Sequence, residues 1–548
     1  MSSLKSGNAP GCDEIPIEAF KHSLAAKTEL FRIVHLIFGT EIIPEEIITG
    51  IFIMLYKKGD RDDFSNYRAI CLLCHAYKLL STVIARRLHA QLEPVLPDSQ
   101  AGFRPARGTR DNVCILKWSI SMILRESREA LVTFIDYKAA FDTESQLFLD
   151  EALSSAGVST KLRRIIQSIF KAAVGCVRID NETSATFNIC RGVLQGDIFS
   201  PVAFIAGLWR IFATHDQLDA GIMLGSPPYE VKISALEYAD DAGLLDNNAV
   251  DASVRLSAIS RGSREDAAMI ISVPKTKAMH IHSTTTVSET TEEEIVSLSL
   301  KHKCTVCSKP FPTLHGMKVH RGRGFCGPRA DGTPRSRKGT LADKAVQLSK
   351  RKAVENTRDH VYIEGEEIEN VHSFVYLGSK QQCDGEDTAD VNHRMSIAQA
   401  EFSSLSRLWQ DHRLPTSMKL RLYQTAVCSS LTHACEAWSL TEAIRKSING
   451  FNSRCLHVIT GDSYRNTARN PPFDLVLAVR RRRMRFLGHV LRMNKDRLVR
   501  RTFEAYVDGG RRPPDGSLLD DCHEKSLHKL TRRAQNRGGW EKTVNSLR

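Results

Sequence analysis

The spacing of apolar and polar positions changes along the chain, and the changes mark its elements. Residues 49–56 and 131–135 are short continuous apolar runs, the mark of buried strands, and the first ends in the basic turn Lys57-Lys58-Gly59-Asp60. Residues 231–236 alternate with period two; Tyr238-Ala239-Asp240-Asp241 and the apolar tail 242–245 follow, which predicts a hairpin with two carboxylates at its tip. Residues 174–179 and 185–190 predict a second hairpin. Elsewhere the spacing is helical. Tyr77, Leu80, Val83, Ile84 and Leu88 share one face, and further helices are expected over 111–125, 143–155 with Asp142 as cap, about 203–218, 395–409 and 416–428. The mixture predicts an α+β protein.

The paired acids carry the first chemical suggestion. Acids at turns are usually just solvated, but adjacent carboxylates on a tight turn repel each other unless a cation binds there. Asp136, which ends the apolar run 131–135, is a candidate third ligand. Oxygen ligands on two strands suit a pair of hard cations and an in-line phosphoryl displacement.

Composition narrows the partners. A chain of 548 residues is too long for one core, and its 42% hydrophobic content includes no run long enough to span a membrane. Lys and Arg number 76 against 63 acids, a net charge of +13 that favours polyanionic partners. The 14 cysteines are scattered apart from one cluster, and the N-terminus has no apolar signal, so an intracellular protein with reduced thiols is expected. Cys71-Leu72-Leu73-Cys74-His75 matches the pattern for haem attachment, yet it lies in an apolar, helix-periodic run and reads as core.

The clustered cysteines read differently. After a Ser, Thr and Glu-rich linker at 283–299 come Cys304 and Cys307, with twelve residues between Cys307 and His320 and five between His320 and Cys326. This is the spacing of a ββα zinc finger with Cys as the last ligand, and Phe311 and Met317 fill its two apolar positions. A unit at 300–327 is too small for its own core, so one structural Zn²⁺ is expected to fold it. Lys318, Arg321 and Arg323 suit nucleic acid, with protein contact as the alternative, and 328–360 reads as a basic linker. Residues 480–492 interleave arginines with Phe486 and His489, a pattern suited to stacking and phosphate contact or to a solvated face.

Three ordered motifs remain: Phe134-x-Asp136-x-x-x-Ala140-Phe141-Asp142, Gly192-Val193-Leu194-Gln195-Gly196-Asp197, and Tyr238-Ala239-Asp240-Asp241. With Gln100-x-Gly102-Phe103-Arg104-x-x-Arg107-x-Thr109 ahead of them, they resemble the reverse transcriptases of LINE-type (non-long-terminal-repeat) retrotransposons. The resemblance implies a right-hand polymerase with fingers and palm over 1–282, a primer-grip-like turn and helical thumb over 361–460, and a basic C-terminal region over 461–548. It implies synthesis of DNA on an RNA template, with two Mg²⁺ ions, or Mn²⁺, on Asp136, Asp240 and Asp241, and Lys275 near the leaving pyrophosphate. Lys58 and Arg68 would grip the incoming triphosphate; Arg68 is the stronger candidate because a planar guanidinium holds phosphate oxygens bidentately. Phe141, otherwise a core aromatic, would exclude the ribose 2′-hydroxyl, and Gln195 would contact the nucleotide and template pair. Arg104 and Arg107 become candidates for template phosphates, and Tyr376-Leu377-Gly378 for the primer grip. The implied partners are an RNA template, a DNA primer, deoxynucleoside triphosphates and target DNA.

Three positions depart from the family pattern: Tyr56 and Ala69 stand where Pro is usual, and Ser272 where Asn is common. The opening Lys5-Ser6-Gly7-Asn8-Ala9-Pro10-Gly11 resembles the start of the polymerase unit, which leaves no room upstream for the endonuclease such elements commonly carry. Two other readings are a nucleic-acid-binding protein that kept the fold but lost synthesis, and a zinc-finger adaptor on a polymerase-like scaffold.

Overall fold

The structure, a computed structural model, describes residues 6–180, 182–216, 220–282, 302–303, 310–311, 360–469, 471–508, 518–521 and 526–547. Contacts divide the chain into two units, Met1–His282 with Val361–Arg548, and Ser283–His360. In the second unit the described residues pair His302–Lys303 with Pro310–Phe311. The expected zinc ligands Cys304, Cys307, His320 and Cys326 lie outside the described residues.

The first unit is built on a five-stranded sheet in the order Ala235–Tyr238, Asp241–Asp246, Ala130–Ile135, Lys277–Ile281, Glu369–Asn370. Its central strand is buried throughout, and apolar apart from Thr133, because both of its faces are covered. Leu131 and Ile135 join one core with Leu244 and Ala278, while Val132 and Phe134 join another with Leu245 and Met279. The first core includes the helices Gln146–Ser155 and Ser200–His215; the second includes Thr109–Arg125 and the C-terminal helices.

A second sheet pairs Gly50–Tyr56 antiparallel with Tyr67–Leu72 and parallel with Val174–Ile179. Cys71, Cys74 and His75 are all buried, in keeping with a core role. Farther on, Thr388–Ser404, Thr416–Leu422 and Glu442–Thr460 surround a third core containing Trp409, Tyr423 and Trp438. Trp438 donates its indole N–H to Asp390 at 2.7 Å.

Several local expectations need correction. The run 231–236 is not one strand: Val231–Ile233 pairs with Ile222–Leu224, and the chain breaks at Ser234 before Ala235–Tyr238. Asp142 is not a helix cap. It lies in the short turn Ala140–Thr143, and Ser145 caps Gln146–Ser155 by accepting from the Phe148 amide. The hairpin expected from 174–190 is a pairing of Val174–Ile179 with two short strands, Glu182–Thr183 and Phe187–Asn188. The helix over 395–409 instead breaks at Leu405, between Thr388–Ser404 and Ser406–Gln410.

The arginine run lies in the helix Leu475–Arg492, whose apolar side packs into the core behind the sheet through Phe486, Leu487 and Val490. Arg483 is fully buried and paired with Asp521 at 2.9 Å. Among the described residues, no helix is long and apolar enough to cross a membrane.

Candidate active site

Strand register brings the acids together. Ala242 pairs with Ile135 in an antiparallel ladder, so one step further out Asp241 lies opposite Asp136. Tyr238 pairs with Asp241, which leaves Ala239 and Asp240 as a two-residue turn with Ala239 at a φ of 56°. An L-residue there is strained and needs support.

That support comes from the segment Gln100–Gly102. The Gln100 side-chain oxygen accepts from the Ala239 amide at 3.0 Å and from the Gly102 amide at 2.9 Å. Ala101 donates to the Glu237 carbonyl at 2.8 Å, and Asn112 donates to the same oxygen. A Cβ on Gly102 would lie 2.3 Å from the Ala239 nitrogen, so only glycine fits. Burial pushes the Glu237 carboxyl up to about 7, against the pull of the Ser99 hydroxyl that donates to it.

Electrostatics set the tip apart. Burial, then the charge of Asp136, raises the Asp240 carboxyl above its ordinary value, while Arg68 opposes the shift. Crowding by protein, then Asp240 and Asp136, pushes Asp241 up to about 6 although the residue is exposed. Asp136 Oδ2 lies 3.3 Å from Lys275 Nζ and is otherwise without a hydrogen-bond partner. Three mutually repelling carboxylates with an unsatisfied oxygen fit a cation site in their chemistry. As their side chains stand, no group of three His, Cys, Asp or Glu among the described residues is in ligating geometry.

Beside this tip opens a cavity of about 970 Å³. Lys58, Arg68, Phe141, Gln195, Asp240 and Lys275 all line it, drawn from segments more than two hundred residues apart. Phe141 stacks on Phe204 with ring centres 4.3 Å apart, which leaves its other side to the cavity. The motif around Gln195 is strapped down by its backbone. Val193 donates to the Phe141 carbonyl at 2.7 Å, and the Gln195 carbonyl accepts from Cys71 at 2.8 Å. Gly196 sits so close to Cys71 that a Cβ would meet its carbonyl at 2.5 Å.

Other expected site residues lie elsewhere. Arg104 is buried and forms a forked pair with Glu93, at 2.8 and 3.0 Å, and Arg107 pairs with Asp98 and Glu93. Neither lines the cavity, and both guanidiniums are engaged by carboxylates that fold back from the same loop. In this structure both arginines brace their own segment, and their place as candidates for template phosphates stays an expectation. Tyr376 is buried, donates to the Leu236 carbonyl at 2.9 Å and packs on Phe134. Leu377 and Gly378 form the turn of a hairpin, both at positive φ, with their carbonyls taken by His433 and Arg394. In this structure the turn is a brace against the sheet.

Sequence reading missed several neighbours. Lys57 and Asp142 line the cavity, and Phe103 stands edge-on to Phe141 at 6.1 Å, 41% exposed. The buried Asp197 accepts from Ser81, Ser200, Tyr77 and the Ile198 amide. Phe103 and Asp197 sat inside quoted motifs, so a signal existed; Glu237 carried none, because an acid in a strand looks like any solvated acid.

Residues 56–378, more than half of the chain, match the sequence profile of the reverse transcriptase (RNA-dependent DNA polymerase) family. Over 245 residues the chain is 30% identical to a retrovirus-related Pol polyprotein from the type-1 retrotransposable element R2 of Popillia japonica, which covers 44% of this chain and 33% of that protein. Over 258 residues it is 25% identical to a probable RNA-directed DNA polymerase from transposon BS of Drosophila melanogaster, covering 45% and 26%. The chain thus spans a third or less of the length of these two relatives. Apo telomerase from Candida tropicalis is a remoter structural likeness, with 12% identity, coverage of 95% and 74% and a TM-score of 0.39, too low to carry an argument. With Asp136 and the Asp240–Asp241 turn carried by one sheet and a profile match across more than half its length, the chain belongs to the reverse transcriptase family.

Proposed function

We propose that the chain extends a DNA primer on an RNA template, as the polymerase of a non-long-terminal-repeat retrotransposon. The observation that carries this reading is the single cavity in which a basic wall, Lys58 and Arg68, faces an aromatic floor, Phe141, beside the acidic turn. Arg68 and Lys58 hold the triphosphate, Gln195 meets the templated base pair, and Lys275 neutralises or protonates the leaving pyrophosphate. Asp136, Asp240 and Asp241 would hold two Mg²⁺ ions. When bound, these supply the charge that acidifies the primer 3′-hydroxyl and stabilises the leaving group. Purified protein should add deoxynucleotides to a primed RNA template in Mg²⁺. Binding of the duplex without any extension would instead favour a protein that kept the fold and lost synthesis.

Phe141 should select the sugar. Its ring is held by Phe204 and cannot easily retreat, so Phe141→Ala is expected to lower discrimination against ribonucleotides on the order of 10 to 100-fold. Competition between deoxy- and ribonucleotides in single-turnover extension measures this, and unchanged discrimination would remove Phe141 from the role.

The segment 300–327 completes the proposal as a zinc finger held by Cys304, Cys307, His320 and Cys326, a fold that depends on the metal. Elemental analysis of the purified chain should find one zinc per molecule, and Cys304→Ser/Cys307→Ser should lose it. Retention of zinc by that variant would place the metal elsewhere.

A further inference from the structure

The first unit holds a second basic cavity, of about 280 Å³, that shares no lining residue with the cleft. Arg482, Arg485, His489 and Arg492 face it from the helix Leu475–Arg492 at spacings of three and four, a single stripe of that helix. Arg110, in the first turn of Thr109–Arg125, and Arg537, at the start of Arg537–Asn545, close the ring. The arginine run is therefore divided. Arg480 and Arg483 pair with Asp521, and the stripe faces the cavity.

Negative charge within the cavity falls short. Glu436 lies between Arg482 at 3.3 Å and Arg110 at 3.8 Å, and Glu541 is taken by Arg485 at 2.8 Å. Arg492 donates to the Ala534 carbonyl at 3.1 Å, and the described residues provide neither it nor Arg537 with an ion pair. Burial, then the surrounding arginines, lowers His489, and burial followed by Arg537 lowers Arg492. Like charges at helical spacing are unfavourable by themselves, so an anion is what the arrangement lacks.

We propose that this cavity grips a backbone phosphate of bound nucleic acid outside the catalytic cleft. Guanidinium forks match phosphate oxygens bidentately. A base has no platform here, because Phe486 and Trp540 are buried, Arg110 covers the Phe486 ring at 5.5 Å, and the Trp540 N–H is given to the Met484 carbonyl. The contact is thus independent of sequence. Arg110 lies in the first turn of the helix Thr109–Arg125, which continues from the segment whose start, Gln100, supports the catalytic turn, so both sites share one framework. The identity of the strand rests on the polymerase reading; binding of phosphate does not.

The test is fluorescence anisotropy of the full chain with a labelled RNA–DNA primer-template across a salt series, without nucleotide, so that a failure of synthesis leaves the result intact. Arg492→Gln/Arg537→Gln should raise the dissociation constant about tenfold and lower the salt slope by about two. Arg413→Gln, at an exposed position outside the cavity, should change neither. If the double variant does not fold, Arg537→Glu alone, at an exposed position, should produce a loss of affinity in the same direction. Unchanged affinity and slope would overturn the proposal. So would unchanged duplex binding together with loss of stabilisation by inorganic phosphate, which would assign the cavity to a free anion.

Discussion

Asp240→Asn should reduce primer extension on the order of 10³-fold or more while leaving the fold intact. The turn is held by Gln100 and by strand pairing, neither of which uses the Asp240 carboxylate. The same change should raise, not lower, the melting temperature at neutral pH in the absence of divalent cations, because it removes one of three mutually repelling charges. The sign follows from Asp241, whose folded value of about 6 lies above its ordinary 3.8. A raised carboxyl contributes stability that is complete below the ordinary value and is lost as pH rises through the folded one. Metal-free protein should therefore lose stability between pH 4 and 6, and less steeply in Asp240→Asn. Thermal melts across that range, set beside extension assays, decide both parts; extension at wild-type rate would remove Asp240 from the chemistry.

Gly102→Ala should be nearly as damaging, though it touches no reacting group. The new methyl would meet the Ala239 nitrogen at 2.3 Å and the Tyr238 carbonyl carbon at 2.9 Å, backbone atoms that move only with the whole turn. Overpacking of this kind costs about 1–3 kcal/mol. A displacement approaching 1 Å at the carboxylates costs roughly a hundredfold in rate. The loss should appear in kcat more than in KM for nucleotide, since Arg68 sits on a different sheet and Lys58 in the turn after its strand Gly50–Tyr56. Gly39→Ala, in a helix with open space around it, is the control and should be neutral or slightly stabilising. Full activity in Gly102→Ala would mean that the loop and the turn are not coupled.

The two predictions differ in how legible their residues were. Asp136, Asp240 and Asp241 could be read because their elements are local: a five-residue apolar run and a hairpin tip declare themselves within a dozen positions. The pairing register then needs only one long-range match, Ala242 to Ile135, to bring them together. Lys58, Arg68, Phe141 and Gln195 reached the same cavity because each sits within or beside a recognisable motif. The ion pairs of Arg104 and Arg107 were not legible, for the opposite reason. Nothing in a run of residues says that Glu93 and Asp98 will turn back on them. Gly102 was visible as a motif letter, but its function as the only residue that fits beneath Ala239 was not.

By itself, the sequence determined the strand that leads into Asp136, the turn that carries Asp240 and Asp241, and the basic residues that flank them, since these follow from short apolar runs and tight turns. Only the tertiary structure decided which charges are spent in the interior and which face open space. The arginine helix is the clearest instance: Arg483 and Arg492 are chemically alike and nine residues apart. One is fully buried against Asp521, and the other faces a cavity that is short of carboxylates. The physical reason is that an ionised group takes its role from partners supplied by distant parts of the chain, which local periodicity does not encode.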